Sequence, residues 1–213
     1  MVFGYHADSL IGEVYMPKIL IATANRGKLH EIHALLADLP LTLLIPADLG
    51  LVLEVAETGD TYAVNAALKA TAFARLSGLL TLADDSGLEV DALGGLPGVR
   101  SARFSPLPRA TDADRRHYLL QQLVGKARPW TAHFHCTVAL AEPDEEVVYF
   151  EGDCPGEIIP TERGDNGFGY DPIFLLPELG RTMAELSMAE KNRLSHRARA
   201  IIAATPFLRQ RFG

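Results

Sequence analysis

Short apolar runs alternating with helical patterns constrain the first half of this chain more than any other feature. Residues 18–24, KILIATA, read as a buried strand stopped by NRGK. Leu29, Ile32, Leu35, Leu36 and Leu39 then recur at helical spacing. Residues 41–45 are apolar again, and ETGDT is a turn in which Thr58 or Asp60 caps the next helix. That helix, YAVNAALKATAFARLSG, is alanine-rich and ends at Gly78. Residues 79–83 make a third run, with Asp84 and Asp85 at its carboxyl end. An order of β-α-β-α-β follows, which selects an α/β sheet covered by helices.

The second half differs. After a Gly/Pro loop at 94–98, ATDADRRHYLLQQLVG opens with a Thr111–Asp114 capping pair and continues as a helix. HFHCTVAL alternates, placing Phe134, Cys136, Val138 and Leu140 on one face, and pairs with VVYFEG across the EPDEE turn as a β-hairpin. GEIIP and PIFLLP read as further strands on either side of the loop RGDNGFGYD, and the chain ends in a helix from near Ser187 to about Thr205. The expected fold is α/β: a long mixed central sheet with flanking helices, in two lobes enclosing a deep substrate cleft. Residues 17–213 form that single two-lobed domain. Residues 1–16 lack the basic start and apolar stretch of a signal peptide and read as an N-terminal extension, with Met16 as an alternative start.

Composition narrows the function. Among 213 residues, 48% are hydrophobic, 22% are charged, and the net charge is −7. An acidic chain is poorly suited to holding a nucleic-acid strand, which needs a basic face, so phosphate is expected only at a local site. No apolar run is long enough to span a bilayer. Cys136 and Cys154 make neither a disulfide framework nor a metal motif and fit core thiols in a reducing cytoplasm.

Five segments carry candidate chemistry. In TANRGKLHEI a strand turns into a helix through Thr23, Asn25, Gly27 and Lys28, and a helix N-terminus with a cation suits phosphate oxygens. The Walker spacing is absent, and Asn25 as a simple cap with Lys28 in solvent is the plainer alternative. Glu57 precedes a helix and Lys69 lies along it; alone, each reads as a surface charge. Asp84 and Asp85 repel one another unless something positive stands near, and Mg²⁺, which takes carboxylate and phosphate oxygens, is one answer. Asp-Asp spacing does not match the Asp-x-Asp of a haloacid-dehalogenase-type nucleophile. In GDNGFGYDPIF, Phe168 between two glycines is placed either to stack on a flat base or to plug the core beneath the loop. In ELSMAEKNRLSHRARA, Ser187 with Glu190 forms a capping box, or Ser195 caps a helix beginning at His196 and Arg197. His133 and His135 share a strand face without a third ligand.

In this order the segments TANRGK, ETGDTYAVNAALKA, ADDSGLEVDALGGLPGVRSARF, FHC, GFGYDPIF and AEKNRLSHR resemble the inosine triphosphate pyrophosphatase family, the non-canonical purine NTP pyrophosphatases, from Lys18 to about Ala204. The resemblance implies hydrolysis of ITP, dITP and XTP to the monophosphate and pyrophosphate, cleansing the nucleotide pool. It implies a triphosphate loop at Thr23, Ala24, Asn25, Arg26, Gly27 and Lys28, with Asp85, Lys28 and Lys69 as the catalytic set. It implies Mg²⁺ at Glu57 and Asp85, and Ser86 as a substrate contact. Phe168, Gly169, Tyr170, Asp171, Lys191, His196 and Arg197 match the nucleobase pocket. A cytoplasmic homodimer is implied, without nucleic-acid or membrane partners. Ala24 departs from the Gly or Asn of many relatives. The competing classes are a pyrimidine or modified-nucleotide pyrophosphatase and a nucleotide-binding module without turnover.

Overall fold

A computed structural model describes residues 16–212; the expected extension lies almost wholly outside them. Seven strands form one sheet in the order β2-β1-β3-β4-β5-β6-β7. β1 (Lys18–Ile21) runs parallel to both β2 (Thr42–Leu44) and β3 (Thr81–Val90). β4 (Trp130–Ala141), β5 (Val148–Ile158), β6 (Phe174–Leu176) and β7 (Arg181–Thr182) continue antiparallel. The sheet is mixed, as the sequence suggests: helical crossovers join its first three strands, and among the antiparallel strands β4 and β5 form a hairpin while the connection from β3 to β4 carries a further helix.

Helices cover both faces. α1 (Arg26–Leu36) and α5 (His196–Phe212) bury Ile32, Leu36, Ile201 and Leu208 against Ile19, Ile21, Leu82 and Val138. On the other face α2 (Tyr62–Ser77) lays Ala66, Ala70, Phe73 and Ala74 on Leu20, Ala83 and Ala139. Small residues there let the helix approach the sheet closely. A third cluster, built on Leu88, Phe134, Phe174 and Met183, packs under α3 (Asp112–Leu123) through Leu119 and Leu123.

Several boundaries differ from expectation. The third strand is not 79–83 with the aspartates at its end: β3 runs ten residues, and Asp84 and Asp85 lie within it. β1 pairs with it only through Leu20↔Thr81 and Ile21↔Leu82, then turns away, while β4 pairs along its whole length. The aspartates therefore sit just past the end of the parallel pair. α2 is capped by Thr61, whose Oγ accepts the Val64 N–H at 3.2 Å, and not by Thr58 or Asp60. GEI is the end of β5, held there by Trp130↔Ile158 pairing, not a separate strand. The terminal helix is two helices, α4 (Met188–Leu194) and α5, and it continues past Thr205 to Phe212. Both caps considered from sequence are used: Ser187 and Glu190 close a capping box on α4, and Ser195 Oγ accepts the Ala198 N–H at 3.2 Å.

The start of α5 rests on the backbone of β5 at Gly152. A Cβ there would lie 2.2 Å from the His196 carbonyl oxygen and 2.6 Å from the Ala200 nitrogen. Gly152→Ala must lift α5 from the sheet, and overpacking of this kind costs about 1–3 kcal/mol. A urea titration should show a lower midpoint at unchanged slope.

Candidate active site

Alternation along β3 separates the paired carboxylates. Successive side chains leave opposite faces of a strand, so Asp84 and Ser86 point toward α1 and α5, and Asp85 points toward α2. Each carboxylate then meets its own cations.

Asp84 is buried. Its Oδ2 is 3.1 Å from Lys28 Nζ and accepts from Arg197 Nε at 3.0 Å. Lys28 is aimed by the turn before α1, where Thr23 Oγ accepts the Asn25 N–H at 3.2 Å and Asn25 Oδ1 accepts the Lys28 N–H at 3.1 Å. Arg197, the first turn of α5, is 1% exposed, and each guanidinium nitrogen donates within the protein: Nε to Asp84, Nη1 to Glu31, Nη2 to Ser86 Oγ at 2.9 Å. Glu31 also lies 2.7 Å from Lys191 Nζ, which donates to Asp171 Oδ2 at 2.5 Å. Asp171 Oδ2 in turn accepts the Phe168 N–H at 2.9 Å. Three carboxylates and three cations thus run unbroken from the first turn of α1 to the loop that carries Phe168.

Burial raises the cost of every charge in this chain, and the partners decide which way each group moves. For Asp84, burial pushes the carboxyl up, but Lys28, Arg197 and Lys69 outweigh it and hold the group below its ordinary range. Glu31 follows the same balance with Arg197 and Lys191. For Asp171 burial wins over Lys191 and the carboxyl is raised. His196, buried beside Arg197 and Lys191, is held well below the usual imidazole value and is neutral. Its ring stacks on Phe134 at 4.7 Å, and its Nδ1 has no hydrogen-bond partner among the described residues.

Asp85 faces a different set. Asn65 of α2 donates to its Oδ2 at 3.1 Å, and the same amide accepts the Gly59 N–H at 2.8 Å and donates to the Gly59 carbonyl at 3.3 Å. Lys69, one turn further along, donates to Glu57 Oε1 at 2.7 Å and to the Asp84 carbonyl at 2.7 Å, and lies 3.9 Å from Asp85 Oδ1. Burial outweighs Lys69 and Lys28 and, helped by Glu57, raises the Asp85 carboxyl. Among the described residues no group of three or more His, Cys, Asp or Glu side chains is arranged to hold a metal ion. Glu57 and Asp85 are two carboxylates that converge on Lys69 Nζ, a donor set short of a protein cage.

These groups open on a cleft of about 800 Å³. Every residue that the family resemblance assigns to the site lines it except Gly27: Thr23, Ala24, Asn25, Arg26 and Lys28 from the α1 turn, Glu57, Lys69, Asp85 and Ser86 from the carboxylate end, and Phe168, Gly169, Tyr170, Asp171, Lys191, His196 and Arg197 from the far end. Asp84, His133 and His135 are not part of its lining. Gly27 lies behind Phe168, where a Cβ would stand 2.5 Å from the ring. The ring is also within cation–π range of Lys191, 4.9 Å, and Arg197, 5.6 Å. Phe168 therefore borders the cleft and does not plug the core. Leu51, Val52 and Leu53 add an apolar wall that sequence reasoning did not single out. It also passed over Glu31 and Asn65. Each is a buried polar residue beside an apolar stripe, Glu31 next to Ile32 and Asn65 next to Ala66, and that break in pattern was the available signal.

Against known proteins, the model of the Ham1 family matches residues 19–207. A protein of Listeria monocytogenes serotype 4b named dITP/XTP pyrophosphatase is 47% identical over 187 residues, 87% of this chain and 92% of the relative. One of the same name from Shouchella clausii is 47% identical over 189 residues, 88% of this chain and 94% of the relative. Among solved structures, a HAM1 protein from Coxiella burnetii superposes with a TM-score of 0.83 at 41% identity, covering 92% of this chain and 100% of that one. A nucleoside-triphosphatase, dITP/XTP pyrophosphatase, from Mycobacterium abscessus gives 0.70 at 41% identity, covering 90% and 99%. With residues 19–207 matched by the family model and relatives 47% identical over most of the chain, this chain belongs to the Ham1 family.

Proposed function

We propose that this protein hydrolyses non-canonical purine nucleoside triphosphates, of the ITP, dITP and XTP kind, between the α and β phosphates to give the monophosphate and pyrophosphate. The observation that carries the reading is the split of the Asp-Asp pair, one carboxylate locked in buried ion pairs and the other presented to the cleft beside Lys69. The names of the relatives agree with it.

The triphosphate lies at the start of α1, an 11-residue helix whose free N–H groups and partial positive charge favour anions. Lys28 and Lys69 stand on either side of the carboxylates and meet charge that develops on the leaving pyrophosphate. Asp85, its Oδ2 tied to Asn65, takes a proton from the attacking water. Mg²⁺ belongs to this reading: Glu57 and Asp85 would hold it, fitting an ion that takes one or two carboxylates plus water and phosphate oxygens, and bound there it would neutralise triphosphate charge. At the other end Phe168 stacks on the purine. A 6-keto oxygen accepts hydrogen bonds where the amino group of adenine donates them, and the cations Lys191 and Arg197 favour the acceptor. Arg197 acts mainly by holding Ser86, Glu31 and Asp84 in register. The reading also includes a homodimer in the cytoplasm. The reading takes a free nucleotide as substrate, without nucleic-acid or membrane partners.

Purified protein should release pyrophosphate from dITP and XTP with Mg²⁺, and far less from ATP or dUTP. Asp85→Asn should lower kcat by roughly 10²–10⁴, the usual contribution of a positioned base. Orthophosphate as the product, or preference for dUTP, would replace this reading with another hydrolase. Gly27→Ala should displace the Phe168 ring and raise KM for dITP roughly tenfold, about 1.4 kcal/mol, within the range of base stacking. An unchanged KM would remove Phe168 from base recognition.

A further inference from the structure

Phe168 rides on a stretch without regular structure, residues 159–170, so the position of its ring depends on what grips the backbone. One side is tied to residues 180–186: Arg163 Nη2 donates to the Gly180 carbonyl at 2.6 Å, and Asn166 N and Nδ2 donate to the carbonyls of Ala184 and Leu186, each at 3.0 Å. The other side is held by α3. Asp112 and Arg116, four residues apart on α3, share one face at its N-terminal end. Asp112 Oδ2 accepts the Gly169 N–H at 2.8 Å, and Arg116 Nη1 donates to the Gly169 carbonyl at 2.8 Å. The same guanidinium closes on Glu162 through Nε at 2.8 Å and Nη2 at 2.9 Å, a bidentate pair that ties the two ends of the loop together.

The geometry has a direct consequence for the ring. The Phe168 N–H belongs to the peptide plane before it and is held by Asp171; the Gly169 N–H belongs to the plane after it and is held by Asp112. Peptide units are planar, so fixing the planes on both sides fixes φ and ψ of Phe168 and with them the direction of its Cα–Cβ bond. Gly169 has φ 61° and Gly167 has φ 76°, so neither flanking residue restrains the turn by ordinary sterics and the restraint comes from the side chains. Arg115 holds the other oxygen of Asp112, Oδ1, at 2.5 Å. The clamp side chains Asp112 and Arg116 have no bond to Asp85, Glu57 or Lys69.

We propose that Asp112 and Arg116 are positioning residues for purine recognition: α3 sets the Phe168 ring over the cleft and so governs affinity for the base half of the substrate separately from its phosphates. This rests on the base-stacking reading given above. Sites held by supporting side chains are sensitive to shifts of well under an ångström-scale fit, so release of one plane is enough to weaken stacking.

Calorimetric titrations with inosine monophosphate and with inorganic pyrophosphate test it, on wild type, Asp112→Ala, Asp112→Asn, Arg116→Ala and Phe168→Ala. Asp112→Ala and Arg116→Ala should weaken inosine monophosphate roughly tenfold, the scale of one lost stacking contact, and leave pyrophosphate affinity as in wild type. Asp112→Asn keeps an acceptor for the Gly169 N–H and should restore binding of inosine monophosphate. Equal loss of both ligands would make the clamp mere scaffolding and overturn the proposal, as would no loss of either in folded protein. If Phe168→Ala weakens inosine monophosphate and the α3 variants do not, the clamp alone fails. If Phe168→Ala has no effect, the stacking reading fails and takes the clamp with it. Should Arg116→Ala not fold, the two Asp112 variants decide the matter.

Discussion

Two adjacent aspartates in one strand cannot share an environment, and much of this protein is arranged around that fact. The pleat sends Asp84 to the α1/α5 face and Asp85 to the α2 face. Separation relieves their repulsion without any bound ion, because Lys28 and Arg197 serve one and Lys69 the other. It also gives the two carboxylates opposite fates. Asp84 is held ionised by cations that outweigh its burial, and Asp85 is raised because its cations do not. A single-residue slip of β3 against β4 would exchange these roles and place the buried network in the cleft.

The buried chain of charges on the Asp84 face is expensive in desolvation, and a hydrophobic core of equal volume would often be as stable. What it supplies is connection. Arg197 is bonded to β3 through Asp84 and Ser86 and to α1 through Glu31; Glu31 reaches Lys191 of α4; Lys191 reaches Asp171; and Asp171 holds the backbone of Phe168. Elements far apart in sequence are thereby set relative to one another by directional bonds, where apolar contacts alone would allow sliding. The same logic holds on the other face, where Asn65 fastens both Asp85 and the backbone of Gly59, two residues from Glu57.

Local signals carried much of this into the sequence. Leu29 to Leu36 gave α1 its face, although the pattern ran on to Leu39 beyond the helix end; Gly78 ended α2 with φ 72°, and the alternation from Phe134 to Leu140 announced the long hairpin. The cleft residues were legible through motif order, since composition and spacing left Lys69 or Phe168 with plainer alternatives. What escaped is non-local. The length of β3 depends on β4 continuing where β1 stops, and nothing in residues 81–90 themselves records that difference. Glu31 and Asn65 look like ordinary helix residues until their partners, Arg197 and Asp85, are brought across 166 and 20 residues of chain. The break at Ser195 was visible as an alternative, but only the packing of α5 on Gly152 shows why both caps are needed.

That packing explains how the site keeps its geometry at all. His196 and Arg197 occupy the first two positions of α5, immediately after the Ser195 cap, so their direction follows the axis of the helix and the height at which it meets the sheet. Gly152 sets that height by letting helix backbone touch strand backbone. Gly87 plays a corresponding part on β3, where a Cβ would lie 2.3 Å from the Gly98 carbonyl and push away the segment Gly98–Arg103. Gly27 admits the Phe168 ring. At each of these three places the missing side chain decides a distance between elements, and the charged groups then lock what the close approach has set. Directional bonds alone lengthen and bend; contact between backbones does not yield, and the two together hold Asp85, Lys69 and the far wall of the cleft in one arrangement.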